Sequence, residues 1–215
     1  MLIYIEALIL YVVLFFSGST GWFTGASADG FSALRELSGT LLYCLPAIAL
    51  IWYLLLKAKP ASEWKIKPGI KDLISGAIAL PCLLLTGIVT GFVSSSVGAG
   101  AGEVLLHSPT TVIGWIILCV SRISAAYLEE SYFRFYLLAR RDELKLSAAH
   151  ALAVSVSLFS ICHIYEGPWG FLNAVISGTI LAFIFLRYCS LHGIAIAHGL
   201  YNIGVYVINS LLSQN

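Results

Sequence analysis

Apolar residues run through this chain in long, nearly unbroken blocks, with the polar residues gathered between them. Stretches without a charged side chain extend from Ala7 to Ala28, from Leu37 to Leu56 and from Leu73 to Gly102. A helix needs about 20 mostly apolar residues to cross the hydrocarbon core of a bilayer. Seven intervals approach that requirement: Leu2 to Phe23, Gly39 to Leu56, Leu73 to Val93, Thr111 to Ala139, Ser147 to His163, Phe171 to Leu186 and Leu191 to Leu212. None alternates polar and apolar residues as a barrel strand does. The pattern therefore predicts an all-α, polytopic transmembrane helical bundle of about seven spans. Residues 1–215 read as a single integral-membrane domain, with N-terminal spans in 1–110 and the chemistry-bearing spans in 111–212. Ala26-Ser27-Ala28 has the small residues of a signal cleavage site. No Lys or Arg precedes that apolar run and Glu6 lies inside it, so it reads as a span.

Composition agrees, with 59% hydrophobic and 11% charged residues, against about 25% charged in a soluble domain. Disorder, a coiled coil and a disulfide scaffold are excluded. A net charge of +1 offers no basic field for nucleic acid. The five cysteines, Cys44, Cys82, Cys119, Cys162 and Cys189, form no C-x-x-C pair and read as small hydrophobes. Basic residues set the orientation. Lys57, Lys59, Lys65, Lys67 and Lys71 lie between spans two and three, and Arg140, Arg141 and Lys145 between spans four and five. Both loops are expected on the cytoplasmic side, which makes the N-terminus cytoplasmic as well. Ser94 to Gly102 is then a flexible loop on the far side.

Ionisable groups inside a span cost about 2.5–3.5 kcal/mol each on insertion scales, so they need partners or a task. Span four holds Arg122, Glu129, Glu130 and Arg134. Glu130 and Arg134 share a helix face in the favourable acid-before-base order, while Glu129 points about 100° away. One bland reading joins both glutamates and both arginines in a single ion network. Span five ends with Phe159 and His163 four apart, and the last span carries His198 and Asn202 four apart, each pair on one face. From the cytoplasmic ends, Glu129 and His198 lie roughly 16 Å deep and His163 roughly 24 Å, so His163 matches the others only if span five starts later, tilts or sits deeper. Three polar stations on three spans suit hydrolysis, which needs a base for water and donors for an oxyanion. The same residues also admit other readings. Glu129, His163 and His198 could ligate a catalytic metal, although no His-Glu-x-x-His is present. The stations could relay protons in a transporter, or serve a membrane binding or immunity factor without proteolysis.

Taken in order, Glu129-Glu130-x-x-x-Arg134, Phe159-x-x-x-His163 and His198-x-x-x-Asn202 resemble the motifs of the type II CAAX prenyl endopeptidases, also called the CAAX protease and bacteriocin-processing family. The resemblance covers about Thr111 to Asn209. It implies a glutamate-dependent intramembrane endopeptidase with no required cofactor or metal. Carried over, Glu129 is the base that activates water and His163 helps to position or deprotonate it. His198 and Asn202 are oxyanion donors, Glu130 and Arg134 a supporting pair, and Phe159 a packing residue. The implied partners are the bilayer and a membrane-associated peptide or protein, prenylated or bearing a C-terminal sorting segment. A prokaryotic cell membrane is the expected location.

Among the remaining polar residues, Glu103 and His107 read as surface groups. Tyr165, Glu166, Pro168 and Trp169 read as an interfacial turn. His192 marks the start of the last span, and Asn209 extends its polar stripe or bonds a neighbouring helix.

Overall fold

A computed structural model describes residues 2–16, 30–59, 67–97 and 106–212. The far end of span one, the Ala26-Ser27-Ala28 stretch, Lys65, Glu103 and the later part of the Ser94 to Gly102 loop lie outside the described residues. All seven predicted intervals are represented by helix, and no strand occurs among the described residues. The helices are α1 (Leu2–Tyr11, continued by a π turn at Val12–Phe16), α2 (Ala33–Ala58), α3 (Ile70–Ser96), α4 (Val112–Leu138), α5 (Ala148–Ile161), α6 (Gly167–Tyr188) and α7 (Leu191–Leu212). Five of them, α2, α3, α4, α6 and α7, are long and apolar enough to cross a membrane.

Local sequence explains the helix ends. Ser32, Thr111 and Ser147 accept the backbone N–H of Arg35, Gly114 and His150, capping α2, α4 and α5. Pro46 lacks an N–H and its ring crowds the preceding turn, and just before it α2 widens into a π turn at Thr40–Cys44. Asp72 serves two helices. It accepts the N–H of Gly69 at the start of α3, at 2.8 Å, and that of Gly193 near the start of α7, at 3.2 Å.

At the centre stands α4, packed against α2, α7 and α5. Its second half, Ser131–Leu138, is π-helical and every residue in it is buried. The i→i+5 pattern is carried by the Ala139 N–H, which donates to Arg134 O at 3.1 Å. Around this rod sit Ile51 and Leu55 of α2, Leu181 of α6 and Ile194 of α7, all fully buried. A helix buried on all faces must be apolar all round unless its polar groups find partners. Tyr132 donates to Ala7 O of α1 at 2.7 Å, and Ser155 of α5 donates to Phe133 O at 2.7 Å. Close approach also needs a missing side chain, because a Cβ at Gly199 would stand 2.9 Å from the Cα of Ile123 and hold α7 off α4.

Span five departs from the expected helix to His163. Helix α5 has 14 residues and stops at Ile161, a length of about 21 Å against a hydrocarbon core of about 30 Å. His163 closes a turn to Ser160 O, and a 3₁₀ turn, Ile164–Glu166, leads to Gly167 with φ +79°. Pro168 then sits in the first turn of α6, where its missing N–H costs nothing. Span six therefore begins at Gly167, not Phe171. The turn holding His163 lies at the end of a helix too short to cross, and that helix begins directly after Ser147, as the sequence suggested.

Candidate active site

Helix α4 supplies both glutamates from the last turn of its α-helical part, and they receive different surroundings. Glu130 is fully buried. Its Oε2 lies 3.2 Å from Arg134 Nε, also fully buried, as an ion pair, and its Oε1 lies 2.9 Å from His198 Nδ1 on α7. Because a carboxylate only accepts, the Nδ1–H of His198 is the donor in that contact. Arg134 is committed further. It donates to Gly178 O of α6 at 3.1 Å, and its guanidinium lies 4.4 Å from the centre of the Phe159 ring. A side chain at position 178 would press on the ring, since its Cβ would stand 2.8 Å from Phe159.

Glu129, with its side chain 16% exposed, has no comparable partner. Its Oε2 is buried without a hydrogen bond and lies 3.8 Å from His198 Nε2, too far for a direct hydrogen bond. The charge of Glu129 acts on Tyr43, Cys44, Cys162 and Tyr165, which places its carboxylate between α2, α4 and the α5–α6 turn. The Nδ1–H of His163 donates to Phe159 O at 2.8 Å. In the neutral ring this fixes Nε2 as the unprotonated nitrogen. The His163 ring packs on Phe159, centroids 4.6 Å apart, and Phe159 in turn lies 5.9 Å from His198.

Six of the seven residues singled out in the sequence thus form one connected cluster: Glu129, Glu130, Arg134, Phe159, His163 and His198. Asn202 lies one turn beyond His198 on α7, is half-buried and makes no hydrogen bond among the described residues. His163 and Glu129 share this region without direct contact. Among the described residues no three His, Cys, Asp or Glu side chains are placed to hold a metal ion.

Arg122 corrects the single-network reading. It bonds Glu36 of α2, and Ser121 bonds the same carboxylate. Glu36 escaped the reading of the sequence, although a buried Arg122 called for an acid and Glu36 is the one at the start of span two. Gly178 was missed as well, because a glycine in an apolar run carries no sign of the ring it faces. His192 does stand at the start of α7, where its Nδ1 is 3.1 Å from the Tyr127 hydroxyl. Asn209 bonds Leu106 O in a loop, not a neighbouring helix.

Residues 109–204 match the family model described as Rce1-like, type II CAAX prenyl endopeptidase Rce1-like. The match runs from just before α4 into α7 and contains all seven motif residues, so this part of the chain is similar to the Rce1-like type II CAAX prenyl endopeptidases. No curated protein and no solved structure matches the chain. Five helices long and apolar enough to cross a bilayer, together with this similarity, mark an integral membrane protein.

Proposed function

We propose that this protein is a glutamate-dependent intramembrane endopeptidase that hydrolyses a bond near the membrane in a lipidated or membrane-anchored peptide. The observation that carries the reading is the contrast between the two adjacent carboxylates. Glu130 is fully buried, ion-paired with Arg134 at 3.2 Å and hydrogen-bonded by His198 at 2.9 Å, whereas Glu129 is 16% exposed and has as its nearest ionic partner His198 Nε2, at 3.8 Å. Two carboxylates held in unlike environments suit two roles, one structural and one basic. Glu129 takes a proton from water as that water attacks the peptide carbonyl, and returns it to the leaving amine as the C–N bond breaks. The unprotonated Nε2 of His163 orients the water from the α5–α6 turn. His198, as an imidazolium whose Nδ1–H is held by Glu130, donates its Nε2–H, and Asn202 donates its side-chain amide, to the oxygen where negative charge develops. The mechanism requires no metal, and activity is expected to survive chelators.

The substrate class comes from the family. It is a peptide or protein held at the bilayer by a prenyl group or a C-terminal sorting segment. On this reading the protein works in a prokaryotic cell membrane with its N-terminus cytoplasmic, as the basic loops suggest. Glu129→Gln keeps size and hydrogen bonding while removing the base, so the variant is expected to fold and to be inert. Comparing peptide termini in membranes holding equal amounts of the two proteins tests this. Termini found only with the native protein identify the cleaved bond, and identical termini shift the function to binding, immunity or transport.

A further inference from the structure

Arg122 is a buried charge that the proposed chemistry does not use. A guanidinium within a span is costly, so what it holds is informative. It holds a carboxylate. Arg122 Nη2 and Ser121 Oγ both converge on Glu36 Oε2, and the guanidinium lies 5.6 Å from the centre of the Tyr206 ring. Glu36 comes from α2, outside residues 109–204, so the donors and the acid that fills them lie in different parts of the chain. Beside this cradle is a cavity of about 10 Å³ that also touches Tyr43 and Cys44, about enough for one water.

The cradle adjoins the space of Glu129. Cys44 feels the charges of Glu129, Arg122 and Glu36, and Tyr165, stacked beside His163, feels both Glu129 and Arg122. Arg122 precedes Glu129 by seven residues within regular α-helix, which puts both on one stripe about 10 Å apart. Three residues of extended peptide cover about the same distance.

Resting on the peptidase reading above, we infer that Arg122, with Ser121, anchors the C-terminal carboxylate of the substrate about three residues beyond the scissile bond, and that Glu36 is its displaceable stand-in. The contact is self-blocking. A peptide ending in a carboxylate replaces the Glu36 contact with an equivalent one, whereas a peptide ending in an amide breaks it for nothing. The small cavity fits this picture, because the tail enters only when α2 releases Arg122.

The test uses a farnesyl-cysteine peptide with three residues after the cysteine, ending either in a free acid or in a carboxamide. Full-length protein in detergent or nanodiscs is assayed for kcat/KM on both, and the Glu129→Gln protein for their Kd. Native protein is expected to favour the acid by about tenfold to a hundredfold, the loss typical of one hydrogen bond to a charged group. In the Glu36→Gln, Arg122→Gln double variant, which leaves no buried charge unpaired, that ratio falls towards one. Glu36→Gln alone removes the competitor and lowers KM for the acid peptide. A merely structural pair gives the opposite results: the same acid-to-amide ratio in native and double-variant protein, or a Glu36→Gln KM raised equally for both peptides. Cleavage of acid and amide alike overturns the carboxylate site and leaves the peptidase reading intact. Arg122-dependent preference in binding without cleavage by native protein overturns the peptidase reading and keeps the site.

Discussion

With Arg134 replaced by Ala, Glu130 keeps its burial and loses its cation. Removing one partner of a fully buried pair costs about 3–5 kcal/mol, so Arg134→Ala is expected to lower thermal stability in detergent steeply and to abolish activity with it. Gly178→Ala acts on the same cluster from the opposite side. Its methyl group must displace Phe159, and overpacking of this kind costs about 1–3 kcal/mol. A Gly178→Ala protein as stable as the native one shows that Phe159 has room to yield. The Glu130–Arg134 pair was legible in the sequence because four-residue spacing on a helix is a contact rule. The division of labour between Glu129 and Glu130 was not, since it depends on His198 arriving from α7. The same limit hid Glu36: spacing within a helix suggests partners on that helix, and Arg122 found its acid on another.

Helix α5 meets the π-helical half of α4 through Ser155, whose hydroxyl donates to Phe133 O in a wholly buried contact. Ser155→Ala removes one buried hydrogen bond and is expected to cost about 1–2 kcal/mol, measured as a shift in thermal unfolding. An additional fall in activity shows that this bond also sets the height of His163. Hydropathy located all seven helices because a run of apolar residues reports on burial in lipid. It could not show that Ser131–Leu138 leaves the α-helical pitch, since a π segment is made by hydrogen-bond register and not by composition. It also overextended span five, because the residues that end α5, Cys162 and His163, carry no Gly or Pro of their own. The break is enforced by Gly167 and Pro168, several positions later.

Across the whole molecule, the two basic loops meet. Lys59 lies 3.4 Å from Glu143, and Arg140 bonds both Glu143 and Glu6, at 2.8 and 3.2 Å, tying α1, the end of α2 and the α4–α5 loop together at one end of the bundle. That the loops share a side was deducible from counting spans. Which side faces the cytoplasm rests on the charge rule alone. In a protein stripped of native cysteines, a membrane-impermeant thiol reagent applied to intact cells is expected to label Thr110→Cys and spare Lys67→Cys, and the reverse pattern inverts the orientation.

Helix α5 also faces outwards, with Val154 and Ile161 exposed along its flank. A 14-residue rod falls short of the surrounding lipid by roughly 9 Å, and a bilayer meets such a shortfall by thinning locally. The acyl chains beside α5 are therefore drawn inwards and the headgroups sink towards the α5–α6 turn, forming a dimple in one leaflet. On the peptidase reading proposed above, a substrate tethered by its own hydrocarbon chain would slide into that dimple within the plane of the membrane, the distance to be travelled being shortened by the deformed solvent around the protein.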